Sequence, residues 1–181
     1  DRGRIYRLSP PHFKRPAGPR LGDATTEQLV AALGHRDAWW RETAQRLLFE
    51  RQDKECVPSL EALIMEGAFP PSRAHALWTL NGLNTLSERM ILLALDDTEP
   101  GVREQALILA EPRLNDSAPL RAAVLKRAQD NDPRVRFQAA LTLGNLTGRD
   151  VEQALASIAL AGAGDIWTRR AVHTGLTDRA G

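Results

Sequence analysis

The side chains that could perform acid–base or metal chemistry are spread along the chain rather than grouped. The four histidines, His12, His35, His75 and His173, include no pair three or four residues apart, and no His-Glu-x-x-His pattern occurs. Metal ligands on a helix need that spacing because residues i and i+4 share one face. Cys56 is the single cysteine, which excludes an intrachain disulfide and a cysteine-based metal cluster. We therefore predict neither a metal site nor a cofactor.

Catalytic patterns of other kinds are also missing from the sequence. The serines stand in no recognised nucleophile motif, and no glycine-rich phosphate loop follows a predicted strand. The adjacent carboxylates Asp96 and Asp97 fall in a predicted turn, where helix capping or solvation is their ordinary role. The sequence thus offers no catalytic constellation, and we predict that this chain is not an enzyme.

The charge of the chain is small and unevenly distributed. The 181 residues carry a formal net charge of +1. Residues 1–24 contain six basic and two acidic residues, so the remainder holds 18 basic and 21 acidic residues, a net charge of about −3. Non-specific nucleic-acid affinity comes from neutralising many phosphates, which an acidic body does poorly. No apolar run approaches the roughly 20 residues of a membrane span. We expect no nucleic-acid partner and no membrane insertion by this segment.

Two segments of different character follow one another along the chain. Residues 3–8 alternate polar and apolar side chains as a half-buried strand does, and a proline-rich stretch follows them. We predict that residues 1–24 are an extended strand and linker from a preceding domain. From Thr25 onward the periodicity is helical, and residues 25–28, Thr-Thr-Glu-Gln, have the spacing of a helix capping box. Residues 25–181 are therefore predicted to form one helical domain.

The helical part repeats a short motif five times. The last alanines of the five copies are Ala44, Ala76, Ala106, Ala139 and Ala171, which gives steps of 32, 30, 33 and 32 residues. A sustained period of this length predicts a solenoid of stacked two-helix units. First helices are predicted at 26–34, 56–66, 87–95, 118–129 and 150–161, and second helices at 38–51, 71–82, 100–111, 133–145 and 165–176.

The motif is clearest in the fourth unit, at residues 132–144, which read Asp-Pro-Arg-Val-Arg-Phe-Gln-Ala-Ala-Leu-Thr-Leu-Gly. It resembles HEAT repeats of the phycobilisome-lyase-like class, whose units often read Asp-x-x-Val-Arg-x-x-Ala-x-x-Ala-Leu-Gly. The resemblance covers about residues 25–177 and implies an all-α fold, an α-solenoid of the armadillo/HEAT-like superhelix type with about five helical hairpins. It is specific for the fold class and not for an activity. The fifth unit departs from the pattern, with Thr168 at the arginine position and Arg169 one place late.

An arginine recurs in the first turn of the second helix in four units. These residues are Arg41, Arg73, Arg103 and Arg136, and acidic residues lie in the turn before them. We predict a structural ladder in which the arginines bridge neighbouring units through aspartates and backbone carbonyls, because a planar fork of donors fits such sites. The alternative is that the same arginines line a groove for an acidic partner.

The tryptophans are predicted to divide between core and surface. Trp40 and Trp167 align with valines of other units, so we expect both to fill the core. Trp39 is adjacent to Trp40 and must point elsewhere, so we expect it to be exposed. Exposed aromatic side chains are common interface anchors. The predicted partner-binding surface comprises Trp39, Glu42 and Arg46.

The N-terminal part of the chain carries a narrower resemblance. Residues 3–8, the Phe-Lys-Arg-Pro of residues 13–16 and the stretch 39–48 resemble a junction in large bacterial membrane-bound dehydrogenase proteins. In that family a β-propeller resembling sugar dehydrogenases is followed by HEAT-like repeats and a c-type cytochrome domain. The resemblance implies that residues 1–8 are the last propeller strand, that the rest is the middle module, and that its location is extracytoplasmic. The haem motif C-x-x-C-H is absent from this sequence.

The repeats and the missing catalytic groups predict a non-catalytic scaffold, whose partner is another protein or a neighbouring domain of the same chain. Two other functions remain open. A chromophore-lyase subunit follows from the repeat class alone. A DNA glycosylase on a HEAT-like fold uses tryptophan, aspartate and arginine in a basic groove. Asp37, Trp39 and Arg41 have those types, but the acidic body opposes duplex binding.

Overall fold

A computed structural model describes residues 8–14 and 20–176 of the chain, and all α-helices in these ranges pair into five two-helix units. The first helices of units 1 to 5 are α1 (Thr26–Ala32), α3 (Val57–Glu66), α5 (Glu88–Leu95), α7 (Ala118–Lys126) and α9 (Arg149–Ala161). The second helices are α2 (Ala38–Arg51), α4 (Pro70–Gly82), α6 (Pro100–Ala110), α8 (Pro133–Leu143) and α10 (Ile166–Leu176). The predicted all-α solenoid is confirmed.

The predicted helix boundaries agree with the structure to within two residues, apart from the end of α7. There the last three predicted residues, 127–129, form a 3-10 turn, and similar short turns lie at 21–23, 54–56 and 111–113. The predicted strand at residues 3–8 lies outside the described residues except for Leu8, which is fully exposed.

Local sequence determines where the helices begin. At α1 the predicted capping box is present, since Thr25 Oγ1 accepts from Gln28 N at 3.3 Å and Gln28 Oε1 accepts from Thr25 N at 2.9 Å. Prolines open α4, α6 and α8, where the first amide has no partner within the helix and can be absent without loss. The starts of these four helices are therefore defined by residues within the first helical turn or next to it.

The units stack through both of their helices, so that first helices contact first helices and second helices contact second helices. Each second helix buries an alanine at its seventh residue in units 1 to 4, namely Ala44, Ala76, Ala106 and Ala139. Small side chains at this position let neighbouring helices approach closely, and a larger residue would overpack the contact at about 1–3 kcal/mol. Leucines of the first helices, such as Leu29, Leu60 and Leu120, complete one continuous core.

The fifth unit keeps the same register as the others, which corrects the sequence alignment. Because α10 begins at Ile166, its fourth residue is Arg169 and its seventh is Val172. In α8, which begins at Pro133, the fourth residue is Arg136. The arginine of unit 5 is therefore Arg169 in its expected place, and the departure attributed to Thr168 was wrong.

Candidate interaction surface and arginine ladder

One hydrogen bond recurs at the start of all five second helices. In each, the arginine at the fourth helical residue donates from Nη1 to the backbone carbonyl of the residue six places earlier. We call that earlier residue the loop position. The bonds are Arg41 to His35 at 2.8 Å, Arg73 to Gly67 at 2.6 Å, Arg103 to Asp97 at 2.8 Å, Arg136 to Asp130 at 2.7 Å and Arg169 to Ala163 at 2.8 Å.

The side chain at the loop position of the following unit decides whether the arginine also binds that unit. Arg73 Nε and Nη2 donate to Asp97 Oδ2 and Oδ1, both at 2.7 Å. Arg103 repeats this two-pronged bond to Asp130, at 2.9 and 2.6 Å. Such paired, charge-assisted bonds are among the strongest side-chain contacts in proteins. They tie unit 2 to unit 3 and unit 3 to unit 4.

We call each of these two arginine–aspartate pairs a rung. Their aspartates, Asp97 and Asp130, also organise the turns that precede α6 and α8. Asp97 Oδ1 accepts from Glu99 N at 2.8 Å, and Asp130 Oδ1 accepts from Asp132 N at 3.0 Å. His35 acts in the same way in unit 1, where its Nδ1 accepts from Asp37 N at 3.0 Å. The loop position therefore links the fold of its own turn to the contact between units.

Electrostatics support the charged state of the buried rung between units 3 and 4. The side chains of Arg103 and Asp130 are 11% and 3% exposed. Burial disfavours ionised Asp130, but its bonds to Arg103 and to the Asp132 amide outweigh that effect, and its pKa lies below the usual value. The pKa of Arg103 is raised, mainly by the bond to Asp130. Both groups stay charged at neutral pH.

The two outer junctions lack a carboxylate at the loop position, although Arg121 of α7 pairs with Asp150 of α9 at 3.0 Å between units 4 and 5. Between units 1 and 2 the loop position is Gly67, and Arg41 instead lies under the ring of Phe69, with its guanidinium carbon 5.4 Å from the ring centre. The Nε of Arg41 is buried and makes no hydrogen bond. A cation over an aromatic face gives weaker stabilisation than a paired carboxylate. At this junction the ring of Phe69 takes the place of the aspartate. We call a junction closed when an aspartate or a ring of the next unit contacts the arginine.

Between units 4 and 5 the loop position is Ala163, and no ring takes the place of the missing acid. Arg136 Nη1 donates to the carbonyls of Asp130 and Asn131, and no ion pair to Arg136 is found within the ranges 8–14 and 20–176. Arg136 lines a cleft of about 590 Å³ between the two units, together with Phe137, Trp167 and the 161–165 turn. Because neither an acid nor a ring among the described residues of unit 5 is paired with Arg136, we call this junction open.

The predicted binding residues of unit 1 belong to a surface that continues along the array. Trp39, Glu42 and Arg46 are the second, fifth and ninth residues of α2; all three are exposed, and Arg46 lies 3.8 Å from Glu50. The spacing places them on one helical face. We call the set of second, fifth and ninth residues of all second helices the second-helix face. Its other members are Pro71, Ala74 and Trp78, then Gly101, Glu104 and Ile108, then Arg134, Phe137 and Leu141, then Trp167, Arg170 and Thr174.

A cleft of about 500 Å³ opens on this face across units 1 to 4. Its lining includes two polar pairs that join neighbouring second helices. His75 Nδ1 lies 2.5 Å from Gln45 Oε1, and Trp78 Nε1 donates to Gln105 Oε1 at 2.9 Å. Burial, with a further contribution from Arg41, lowers the pKa of His75, so the ring is neutral at pH 7. The cleft therefore combines an apolar wall with these uncharged polar groups and with the charged side chains of Glu99 and Arg134.

The tryptophans do not divide as predicted. Trp40 is half-buried and stacks on His35 with ring centres 4.4 Å apart, and Trp39 is 53% exposed as expected. Trp167 is 62% exposed and is not a core residue. It is the second residue of its helix, as Trp39 is, and Arg170 lies over its ring at 5.1 Å. The misaligned fifth unit caused this error.

The residue types that suggested a DNA glycosylase are engaged in structural contacts. Asp37 Oδ1 caps α2 by accepting from Trp39 N at 3.0 Å. Arg41 is buried, and its Nη1 is bound to two carbonyls. No group of three or more possible metal ligands occurs among the described residues. In the same part of the chain, no helix is long and apolar enough to cross a bilayer.

Comparison with known proteins agrees with this repeat architecture. Residues 88–174 match the family model of HEAT repeats, and the match covers units 3 to 5. No curated protein sequence matches the chain.

Proposed function

We propose that this solenoid of HEAT-like repeats is a non-catalytic scaffold that binds a protein, or a neighbouring domain of its own chain, through the second-helix face. HEAT repeats commonly serve as protein-interaction scaffolds. The observation that carries the proposal is the row of Trp39, Glu42 and Arg46 on that face. An exposed tryptophan flanked by an acid and a base suits a binding anchor with a polar rim.

The same face provides further anchoring groups beyond unit 1. The 500 Å³ cleft beside Trp78 is large enough to accept an apolar side chain of a partner, and Gln45 and Gln105 can orient a backbone amide there. The ladder holds the units in a fixed relation, so this surface is organised before binding. A preorganised surface loses less conformational entropy on association.

The test compares two triple variants of matched composition. Trp39→Ala, Glu42→Ala and Arg46→Ala strip the second-helix face, whereas Leu93→Ala, Glu88→Ala and Arg89→Ala strip an exposed apolar, acidic and basic residue of α5. We expect partners captured by the wild-type chain to persist with the α5 variant and to be lost with the α2 variant. Purified partner should then bind the α2 variant at least about tenfold more weakly by calorimetry, a loss of about 1.4 kcal/mol. Equal binding by all three proteins would contradict the proposal.

We propose further that the chain is a module of a larger bacterial dehydrogenase-like protein with a cytochrome c domain, and that residues 1–24 are a strand and linker from the preceding domain. The support is the sequence resemblance at residues 3–8, 13–16 and 39–48. Sequencing the gene outward from both ends tests it. A propeller upstream and a C-x-x-C-H motif downstream would support the module, and a start codon before Asp1 with a stop codon after Gly181 would rule it out.

A further inference from the structure

The open junction between units 4 and 5 has the arginine of the ladder but not its acid. In the two central junctions the Nε and Nη2 of the arginine bind both oxygens of an aspartate from the next unit. In this junction Arg136 keeps the bond from Nη1 to its own loop carbonyl, which fixes the guanidinium as in the other units. Within the described part of the chain, its Nε and Nη2 have no hydrogen-bond partner among the protein groups. The ladder itself thus shows which ligand this edge of the guanidinium accepts.

The space in front of Arg136 is available to an outside group. Ala163 is exposed, and the cleft between α8 and the 161–165 turn measures about 590 Å³. At the first junction, by contrast, Phe69 covers the corresponding arginine. Phe137 and Trp167 form apolar walls of the cleft beside the guanidinium. An incoming chain could therefore place a carboxylate on Arg136 and an apolar side chain on the rings.

The other charged side chains in the lining of the cleft are already engaged in contacts. Asp165 lies in its lining, but its carboxylate accepts from Trp167 N at 3.2 Å, from Thr168 N at 2.8 Å and from Thr168 Oγ1 at 2.6 Å. Arg134, also in the lining, is paired with Asp132 at 3.4 Å. Arg136 makes no ion pair within the described residues, so its Nε and Nη2 remain for the carboxylate of a ligand.

We propose that the cleft at Arg136 binds the carboxylate of an aspartate or glutamate in an acidic peptide segment of a partner protein, in place of the missing ladder aspartate. The inference deepens the proposed function, since it rests on this chain being an interaction scaffold and names the chemistry recognised next to Phe137 and Trp167 of its second-helix face. The bond formed is the two-pronged arginine–carboxylate contact that Arg73 and Arg103 already make with aspartates of the next unit. An adjacent apolar residue of the peptide packs on Phe137 and Trp167.

The probe is a capped hexapeptide with one aspartate followed by leucine, and its control has asparagine in place of aspartate. Binding is followed by NMR through the Nε–Hε signal of Arg136 and by the fluorescence of Trp167. We expect the aspartate peptide to shift the Arg136 signal with a Kd of about 1 mM, an affinity suited to one short segment. The asparagine peptide should bind about tenfold or more weakly, because bonds to a charged acceptor are the stronger ones.

Two variants probe the site from opposite directions. Arg136→Gln removes the cation and should abolish binding of the aspartate peptide. Ala163→Asp supplies the missing acid from within the chain, so it should abolish binding and raise the Tm at the same time. If Ala163→Asp binds the peptide as the wild-type chain does, or if the Arg136 signal does not move at saturating peptide, the proposal is overturned.

Other occupants give distinguishable results. Inorganic phosphate that shifts the Arg136 signal at lower concentration than the peptide would overturn the carboxylate assignment. Self-association that disappears in Ala163→Asp would make a second copy of the chain the occupant and would also overturn the peptide assignment.

The site can fail independently of the proposed function. Stripping Trp39, Glu42 and Arg46 should leave peptide binding unchanged, because those residues lie on α2, far along the array from unit 5. If the α2 variant loses its partner while the peptide still binds, both proposals stand. If partner binding is lost in the α2 variant but no carboxylate ever binds at Arg136, the scaffold stands and the carboxylate site falls.

Discussion

The two central junctions of the array and the two outer ones use the same arginine in the same backbone bond but differ in what it meets across the junction. Arg73 and Arg103 meet aspartates of the next unit, with oxygens 2.6–2.9 Å away. Arg41 meets the ring of Phe69, and Arg136 faces a cleft. A repeated residue therefore has a constant role within its unit and a variable role between units. The variable role depends on one side chain, at the loop position of the following unit.

This difference separates stability from availability for binding. A buried arginine–aspartate pair holds its two units together and leaves nothing for a ligand, since both charges are satisfied. An arginine without its acid contributes less to the junction but keeps a directed pair of donors free. The following changes test how far the two roles can be exchanged, beginning with the largest expected effect.

Removing a ladder arginine should have very different consequences in the centre and at the open end. We expect Arg103→Met to lower the free energy of unfolding by about 3–5 kcal/mol, because it leaves Asp130 buried with less of its charge compensated. Arg136→Met should cost about 1 kcal/mol, since it removes hydrogen bonds to two carbonyls and exposes no buried charge. Urea unfolding of the two variants provides the comparison. Similar losses in both would contradict the distinction between closed and open junctions.

Adding an acid at the two outer loop positions should act with opposite sign. A Cβ atom at Gly67 would collide with the carbonyl oxygen of Leu63, so Gly67→Asp should destabilise the chain by about 1–3 kcal/mol. Ala163 already carries a Cβ atom, and Ala163→Asp should stabilise. Gly101→Ala is the control for glycine replacement, because no atom lies within 4 Å of a Cβ added there, and it should be neutral or slightly stabilising. Thermal unfolding shows whether each of the three substitutions raises or lowers the Tm. A higher Tm for Gly67→Asp would contradict the expected collision at the first junction.

Lowering the pH should weaken the buried pair between Arg103 and Asp130. The pKa of Asp130 in the folded chain lies below the unfolded value of about 3.9, so the stability it provides is complete above that pH and is lost as the pH falls below about 4. The difference in unfolding free energy between the wild-type chain and Asp130→Asn should therefore be constant from pH 7 to 5 and shrink below about pH 4. Urea titrations at several pH values measure it. A difference that does not change with pH would show that the carboxylate charge plays no part.

The aromatic junction should be the least sensitive of the closed ones. Phe69→Leu keeps an apolar side chain but removes the ring face from Arg41, and we expect a loss of about 1 kcal/mol. A double-mutant cycle with Arg41→Met isolates the pairwise contribution from the change in packing. If the two losses add without coupling, Phe69 is a space-filling residue and not a partner of the arginine.

The repeat architecture was predictable because the signals are local. Caps such as Thr25, prolines at the first helical turn and buried alanines at a constant helical position each constrain the chain within a few residues. The register of unit 5 could also have been predicted from the sequence. Asp165 precedes Arg169 by four residues, as Asp132 precedes Arg136, and aligning on this cap would have placed Trp167 on the surface beside the position of Trp39. The alignment on Ala171 instead used the wrong one of two neighbouring small apolar residues.

The candidate sites could be predicted only in part. Trp39 is exposed as expected because its neighbour Trp40 occupies the buried side of the helix. The pairing of Arg103 with Asp130 spans 27 residues and depends on how units stack, which the sequence pattern does not state. The cleft at Arg136 is harder still to predict, because it lies at the junction where unit 5 has Ala163 at the loop position and two other units have an aspartate. An absence of this kind becomes visible only once the units are superposed.

In each rung the arginine comes from one unit and the aspartate from the next. This arrangement has a consequence for how such a chain can lengthen in evolution. Units 3 and 4 carry an aspartate before the second helix and an arginine within it, so each can join a copy of itself on either side. A tandem duplication of either unit would extend the array without any new mutation at the junction. Units 2 and 5, with Gly67 and Ala163, would interrupt the series wherever they were copied. A copy of either of these two units would therefore bring no aspartate to the arginine of the unit before it.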